Sequence, residues 1–201
     1  MSADEVCRCK EGAEVLYATN TIFIESRTLL EEWLSSSPRI HQLVSPDHLQ
    51  SVTSLELVWD GTLFYRDGNP YGTAEVEADR SFLSTTLEHI GAATMPNVRS
   101  LTLVFLRRLF FHTDWTPPDF VSQVDELILR PVARAVARLP QQQTRPVIVL
   151  LPHEAFYKLY LQDPDAISLG TKLNRSDGEW LLYPGPSTLD RNGEYYIHGS
   201  G

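Results

Sequence analysis

Two stretches decide the fold: Ser51-Val-Thr-Ser-Leu-Glu-Leu-Val-Trp59 and Asn97-Val-Arg-Ser-Leu-Thr-Leu-Val-Phe105. Both read Val-x-Ser-Leu-x-Leu-Val-aromatic. A period of two is the signature of a strand, because successive side chains there point to opposite faces. Leu55 and Leu57 share one face with Thr53 and Trp59, and Val52, Ser54, Glu56 and Val58 share the other. Leu55 and Leu101 stand 46 residues apart, and a third apolar segment, Pro146-Val-Ile-Val-Leu-Leu-Pro152, follows at roughly the same interval. A fourth candidate, Thr21-Ile-Phe-Ile24, lies nearer the N-terminus. This spacing is too long for hairpins and suits parallel strands joined by helical crossovers.

The intervening stretches carry the helical period. Between Arg27 and Leu34, the residues Leu29, Leu30, Trp33 and Leu34 share a face; between Asp79 and Ile90, so do Phe82, Leu83, Thr86, Leu87 and Ile90, with Gly91 as a stop. The strongest pattern runs from Asp119 to Leu139 behind Pro117-Pro118-Asp119, an entry and cap. Pro131 lies inside it, which predicts a kink or break near Arg130, since an interior proline costs ~3 kcal/mol. A last helix spans His153 to Leu161. Residues 60–77 and 170–193 carry Asp-Gly, Asn-Pro, Ser-Asp-Gly and Pro-Gly-Pro punctuation and read as loops, with Trp180–Tyr183 and Glu194–Ile197 forming a terminal strand pair.

The expected fold is therefore α/β. Strands near residues 21–24, 52–58, 99–105 and 147–151 form a mostly parallel sheet with helical crossovers, an irregular leucine-rich-like α/β layer followed by a small β-rich C-terminal tail. With about three recurrences of unequal length, a regular repeat array is the weaker version. Residues 1–201 read as one domain, with 1–18 as an N-terminal helix or arm and 170–201 as a tail packing on the sheet.

Composition removes several classes of function. The chain of 201 residues is 42% hydrophobic and 21% charged, ordinary for a globular domain. A net charge of −9 argues against nucleic acid and against an anionic membrane surface, both of which call for Lys and Arg. Two cysteines do not make a disulfide scaffold. The acidic start Met1-Ser-Ala-Asp-Glu5 is not a secretory signal, and no apolar run approaches a membrane span, so the expected place is cytoplasmic or nuclear with reduced thiols.

Glu11-Gly-Ala-Glu-Val-Leu-Tyr17-Ala-Thr-Asn20-Thr-Ile-Phe23 resembles the motif E-A-x-x-L-L-Y-S-T-N-T-F of a fungal (ascomycete) family of domains of unknown function. Four further features are similar to that family and fall in the same order. They are the I-x-S-L-x-L-x-W strand at Val52–Trp59, the L-x-R-P-L helix at Leu129–Val132, the F-x-V-x-L-P strand ending at Pro152, and the closing Y-W-I-x-x-G at Tyr195–Gly199. The family often follows an F-box-like segment, which is missing here, so the resemblance implies no recruitment to a ubiquitin ligase. The family's T-C-R-Q-x-Y helix is reduced to Val6-Cys-Arg-Cys-Lys10, as if this chain starts inside a normally longer domain. The resemblance carries over no catalytic residue.

No motif supplies chemistry of its own. Cys7 and Cys9 offer two thiolates where a structural zinc needs four ligands, and His41, His48, His89, His112, His153 and His198 are scattered without metal-binding spacing. His153-Glu154 reads as a capping turn and His198 as exposed. Nucleophile elbow, Walker loop and dinucleotide fingerprint are all missing. No cofactor or metal is expected.

Candidate contact residues remain. Arg130, Arg134 and Arg138 recur every four residues, with Glu126 placed to pair with Arg130; the stripe reads as a solvated, salt-bridged face or as a dock for an acidic peptide or phosphate. Arg107 and Arg108 sit among Leu106, Leu109, Phe110 and Phe111, either core continuation or a partner-binding patch. Trp180, Tyr183 and Tyr195 belong to an aromatic-rich tail that either offers a recognition surface or seals the sheet edge. These observations point to a non-enzymatic protein-interaction module with a protein partner. The alternatives are an enzyme with a dispersed site after the strands, using Asp60, Asp67, His112 or Asp114, and a truncated paralogue without activity.

Overall fold

The computed structural model describes residues 12, 14–34, 46–61, 63, 64, 73–90, 95–106, 117–139, 147–161, 171–183 and 194–200. The strands are β1 (Thr21–Ile24), β2 (Ser54–Trp59), β3 (Ser100–Phe105), β4 (Ile148–Pro152), β5 (Thr171–Arg175), β6 (Gly178–Tyr183) and β7 (Tyr195–Ser200). They form one sheet in the order β1-β2-β3-β4-β7-β6-β5. The near-duplicate segments are parallel neighbours in register: Ser54 lies against Ser100, Leu55 against Leu101 and Trp59 against Phe105. The same offset carries on to β4, where Leu103 lies against Val149. Repetition in the sequence has become alignment across the sheet.

Helices follow the strands. They are α1 (residues 14–19), α2 (Arg27–Leu34), α3 (Pro46–Ser51), α4 (Thr73–Ile90), α5 (Pro117–Val124), α6 (Arg130–Val136) and α7 (His153–Tyr160). Along β2 and β3 buried and half-buried residues alternate, and the buried set (Leu55, Leu57, Leu101, Leu103) joins Leu30, Leu49, Leu83, Ile128 and Phe156 of the helices in one core. The first four strands thus progress in one direction with their described helices on one face, the arrangement that right-handed crossovers produce when each strand is added outside the last. On the other face Glu56, Thr102, Ile148 and Tyr196 make a half-exposed row across the sheet.

Two expectations need correction and a third takes a more specific form. First, α4 begins at Thr73, so residues 73–77 are helix and not loop; its buried stripe starts at Val76, one turn before the stretch read from the sequence. Second, the C-terminal residues do not lie on the sheet but extend it. β7 runs parallel to β4, β6 is antiparallel to β7, and β5 closes a hairpin with β6 around Gly178, whose φ of 132° only glycine adopts easily. β5 lay within a stretch read as loop, because its largely exposed residues carry no apolar alternation.

Third, the irregularity expected near Arg130 is present and takes the form of a change in helical hydrogen bonding. A π-helical turn, Asp125–Leu129, joins α5 to α6, and the Arg130 N–H reaches the carbonyl of Asp125, five residues back. Pro131 then falls in the first turn of α6, directly after the π turn, where the helical hydrogen bonding has already departed from its regular pattern. The wider turn also moves Arg130: its Nε donates to Asp125 Oδ2 at 2.7 Å, in place of the expected pairing with Glu126. π turns of this kind are rare and interrupt regular helices locally.

Candidate functional site

The tail aromatics, expected either as a recognition surface or as a seal on the sheet edge, are interior. Tyr195 is 1% exposed, stacks on Tyr183 with ring centroids 5.0 Å apart, and donates its hydroxyl to the Leu129 carbonyl of the π turn at 2.9 Å. The Tyr183 hydroxyl donates to Asp125 Oδ1 at 2.5 Å, so one buried carboxylate holds both Tyr183 and Arg130. Burial, then the hydrogen bond to Asp125, pushes the Tyr183 phenol well above its usual range; burial does the same to Tyr195. Trp180 is buried as well, its Nε1 donating to Asp177 Oδ1 at 3.1 Å. Tyr183 and Tyr195 tie the tail strands to the long helix, and Trp180 makes its contacts within the tail. They are not available for recognition, because large aromatic area is most stable inside when each polar tip has a partner.

The arginine stripe is only partly separated from that network. Arg130 is 62% exposed but bound to Asp125, whose charge and hydrogen bond raise its pKa. Arg134 and Arg138 are exposed. Arg107, Arg108, Asp67, His112 and Asp114 lie outside the described residues, as do Cys7 and Cys9. His198 is half-buried, its ring 4.3 Å from Trp180, where exposure was expected. His153 opens α7 and is exposed, without a side-chain cap on that helix. Among the described residues no group of three His, Cys, Asp or Glu side chains is placed to hold a metal ion. No described helix is long and apolar enough to cross a membrane.

Two other places were hidden in the sequence. One is a pocket of about 160 Å³ at the C-terminal ends of β1 and β2, lined by Glu25, Arg27, Trp59, Asp60, Gly61 and Phe82 among others. Open parallel sheets bind ligands at that end of their strands. Arg27, at the start of α2, donates from Nε to Glu31 and from Nη1 to Asp79 of α4, and its guanidinium lies over the Phe82 ring, 5.1 Å from the centroid. Burial works against its charge, but the bonds to Glu31 and Asp79 outweigh it and raise the pKa. Trp59 stacks on Phe82 at 5.4 Å, and its buried Nε1 has no hydrogen-bond partner among the described residues. A Cβ on Gly61 would come within 3.0 Å of both Trp59 Nε1 and Asp79 Oδ2, so only glycine closes this corner. Of the residues expected in a dispersed site, Asp60 lines this pocket, and Asp67, His112 and Asp114 lie outside the described residues.

The other place is the β1 edge. Five large apolar side chains are exposed among the described residues, and four of them, Val15, Leu16, Phe23 and Leu29, belong to the consecutive elements α1, β1 and α2. Phe23 is 54% exposed. Phe23 and Leu29 were read as ordinary members of a strand and a helix; periodicity reports which face a residue takes, not whether a neighbour covers it. The alternation of β1 carries no signal that it is the last strand.

No family model, curated protein or solved structure matches this chain.

Proposed function

We propose that this chain is a non-enzymatic protein-interaction module of the fungal F-box-linked type that its motifs resemble, acting in the cytoplasm or nucleus on a protein partner. The observation that carries the reading is the run of exposed apolar side chains in the consecutive elements α1, β1 and α2. Val15, Leu16, Phe23 and Leu29 are exposed there, and Leu161 is the other large apolar side chain exposed among the described residues. Exposed apolar side chains that adjoin one another are a mark of contact sites on soluble proteins. The acidic net charge supports a protein over a nucleic acid as partner. The test is capture from a cell lysate by immobilised wild-type chain and by Phe23→Lys, with melting curves to show that both are folded. A protein retained by the wild type and lost from Phe23→Lys supports the reading. Equal retention by both, or none by either, contradicts it.

A second reading, an enzyme or small-ligand binder, is favoured by the pocket beyond Trp59. Its polar groups (Glu25, Arg27, Asp60) stand over an aromatic floor at the end of the sheet where such sites occur. A metabolite panel read by thermal shift tests it. A ligand that raises the melting temperature of the wild type but not of Asp60→Asn favours this reading; no shift across the panel sets it aside.

A further inference from the structure

We infer that the β1 edge pairs with β1 of a second copy of this chain, antiparallel, so that two seven-stranded sheets become one. The inference rests on the interaction-module reading and names its partner.

The two edges of the sheet are built differently. β5 carries Lys172 and Arg175 in a five-residue strand, and charged side chains on an edge oppose pairing with another strand. Lys172 Nζ lies 5.0 Å from the centroid of the Tyr160 ring, and the Arg175 guanidinium reaches inward over the sheet to lie 4.3 Å from that of Tyr196, so both charges have fixed places beside this strand. β1, Thr21-Ile-Phe-Ile24, has no charge, no proline and no glycine, and three of its four residues are apolar. Among the described residues nothing pairs with its outer side. An uncovered strand of that composition is a template for another strand.

The sequence of β1 fits its own copy. In an antiparallel pair, residues directly opposite lie on the same face. A two-fold axis through Phe23 sets that ring against Phe23 of the second copy, on the exposed face. Ile22 then meets Ile24 of the second copy on the helix side, and Thr21 meets Glu25. No like charges face each other, and the nearest cation, Arg27, is already held by Glu31 and Asp79. Such an isologous contact closes on itself, so it stops at two copies. Each copy carries a net charge of −9, so long-range repulsion opposes the pair and salt relieves it.

The experiment is sedimentation or light scattering on the full chain across a dilution series, at low and high salt. The expected result is a species of twice 22.8 kDa that dissociates on dilution and persists to lower concentration in high salt. Phe23→Lys is expected to give 22.8 kDa throughout, with the melting curve of the wild type diluted to monomer. Phe23→Thr, which keeps strand propensity while removing the ring, weakens the dimer about tenfold or more and serves if the lysine variant does not fold. Thr171→Lys on the β5 edge leaves the dimer intact. A wild type that is monomeric at every concentration, or a dimer indifferent to both Phe23 variants, overturns the self-pairing. A monomer that still captures another protein through Phe23 overturns the self-pairing alone and leaves the interaction reading standing. Loss of both overturns both.

Discussion

The β1 and β5 edges belong to one sheet and have opposite characters. β5 ends it with Lys172 and Arg175, each over an aromatic ring, on a short hairpin whose side chains are largely solvated. β1 ends it with an uncharged strand beside exposed Phe23 and Leu29. A closed edge needs charge or distortion to resist pairing; an edge meant to be occupied needs neither. The difference shows where a fold whose interior is complete still offers contact.

Breaking the common support of both edges has the largest expected effect. Leu103 packs in the core on β3, between β2 and β4, and Leu103→Ala is expected to lower stability by about 2–5 kcal/mol in urea unfolding. A loss under 1 kcal/mol would mean that the in-register leucine strands do not hold the sheet together.

Next comes the anchor of the β5 side. Asp125→Ala leaves the buried Tyr183 hydroxyl without its acceptor and is expected to cost about 1–3 kcal/mol. The same anchor sets an alkaline limit. The folded-state pKa values of Tyr183 and Tyr195 lie above the unfolded value near 10, so their contribution is fully present below pH ~10 and is lost as pH rises beyond it. Absorbance titration is expected to show two of the eight tyrosines ionising only as the protein unfolds, with the melting temperature falling above that pH. All eight titrating together near pH 10 in folded protein would contradict the buried pair.

The smallest expected effect on stability is at the β1 edge itself. Phe23→Lys should shift the unfolding free energy by no more than about 0.5 kcal/mol, because the ring is half in water already. A large destabilisation would place Phe23 in the core and erase the contrast between the edges.

The sequence was most legible where local pattern and tertiary use coincide. The repeated Val-x-Ser-Leu-x-Leu-Val-aromatic segments predict parallel strands, and β2 and β3 align them residue for residue. Pro131 marked the place of the helix irregularity but not its form, because the helix reading assumes four-residue hydrogen bonding throughout and the π turn changes the register just before the proline. Tyr183 and Tyr195 were legible as aromatic strand residues but not as partners of Asp125 and Leu129, which lie more than fifty residues away in sequence. The pocket and the β1 edge were illegible for a related reason. Arg27 and Asp79 meet only through folding, and an edge strand has the same alternation as a central one.

Amide hydrogen exchange at residues 21–24 compared with residues 171–175, in concentrated and in dilute wild-type protein, tests the contrast most directly. The account predicts that β1 is protected at high concentration and loses that protection on dilution or in Phe23→Lys, while β5 exchanges at the same rate in every sample. Equal and concentration-independent exchange at the two edges would contradict it.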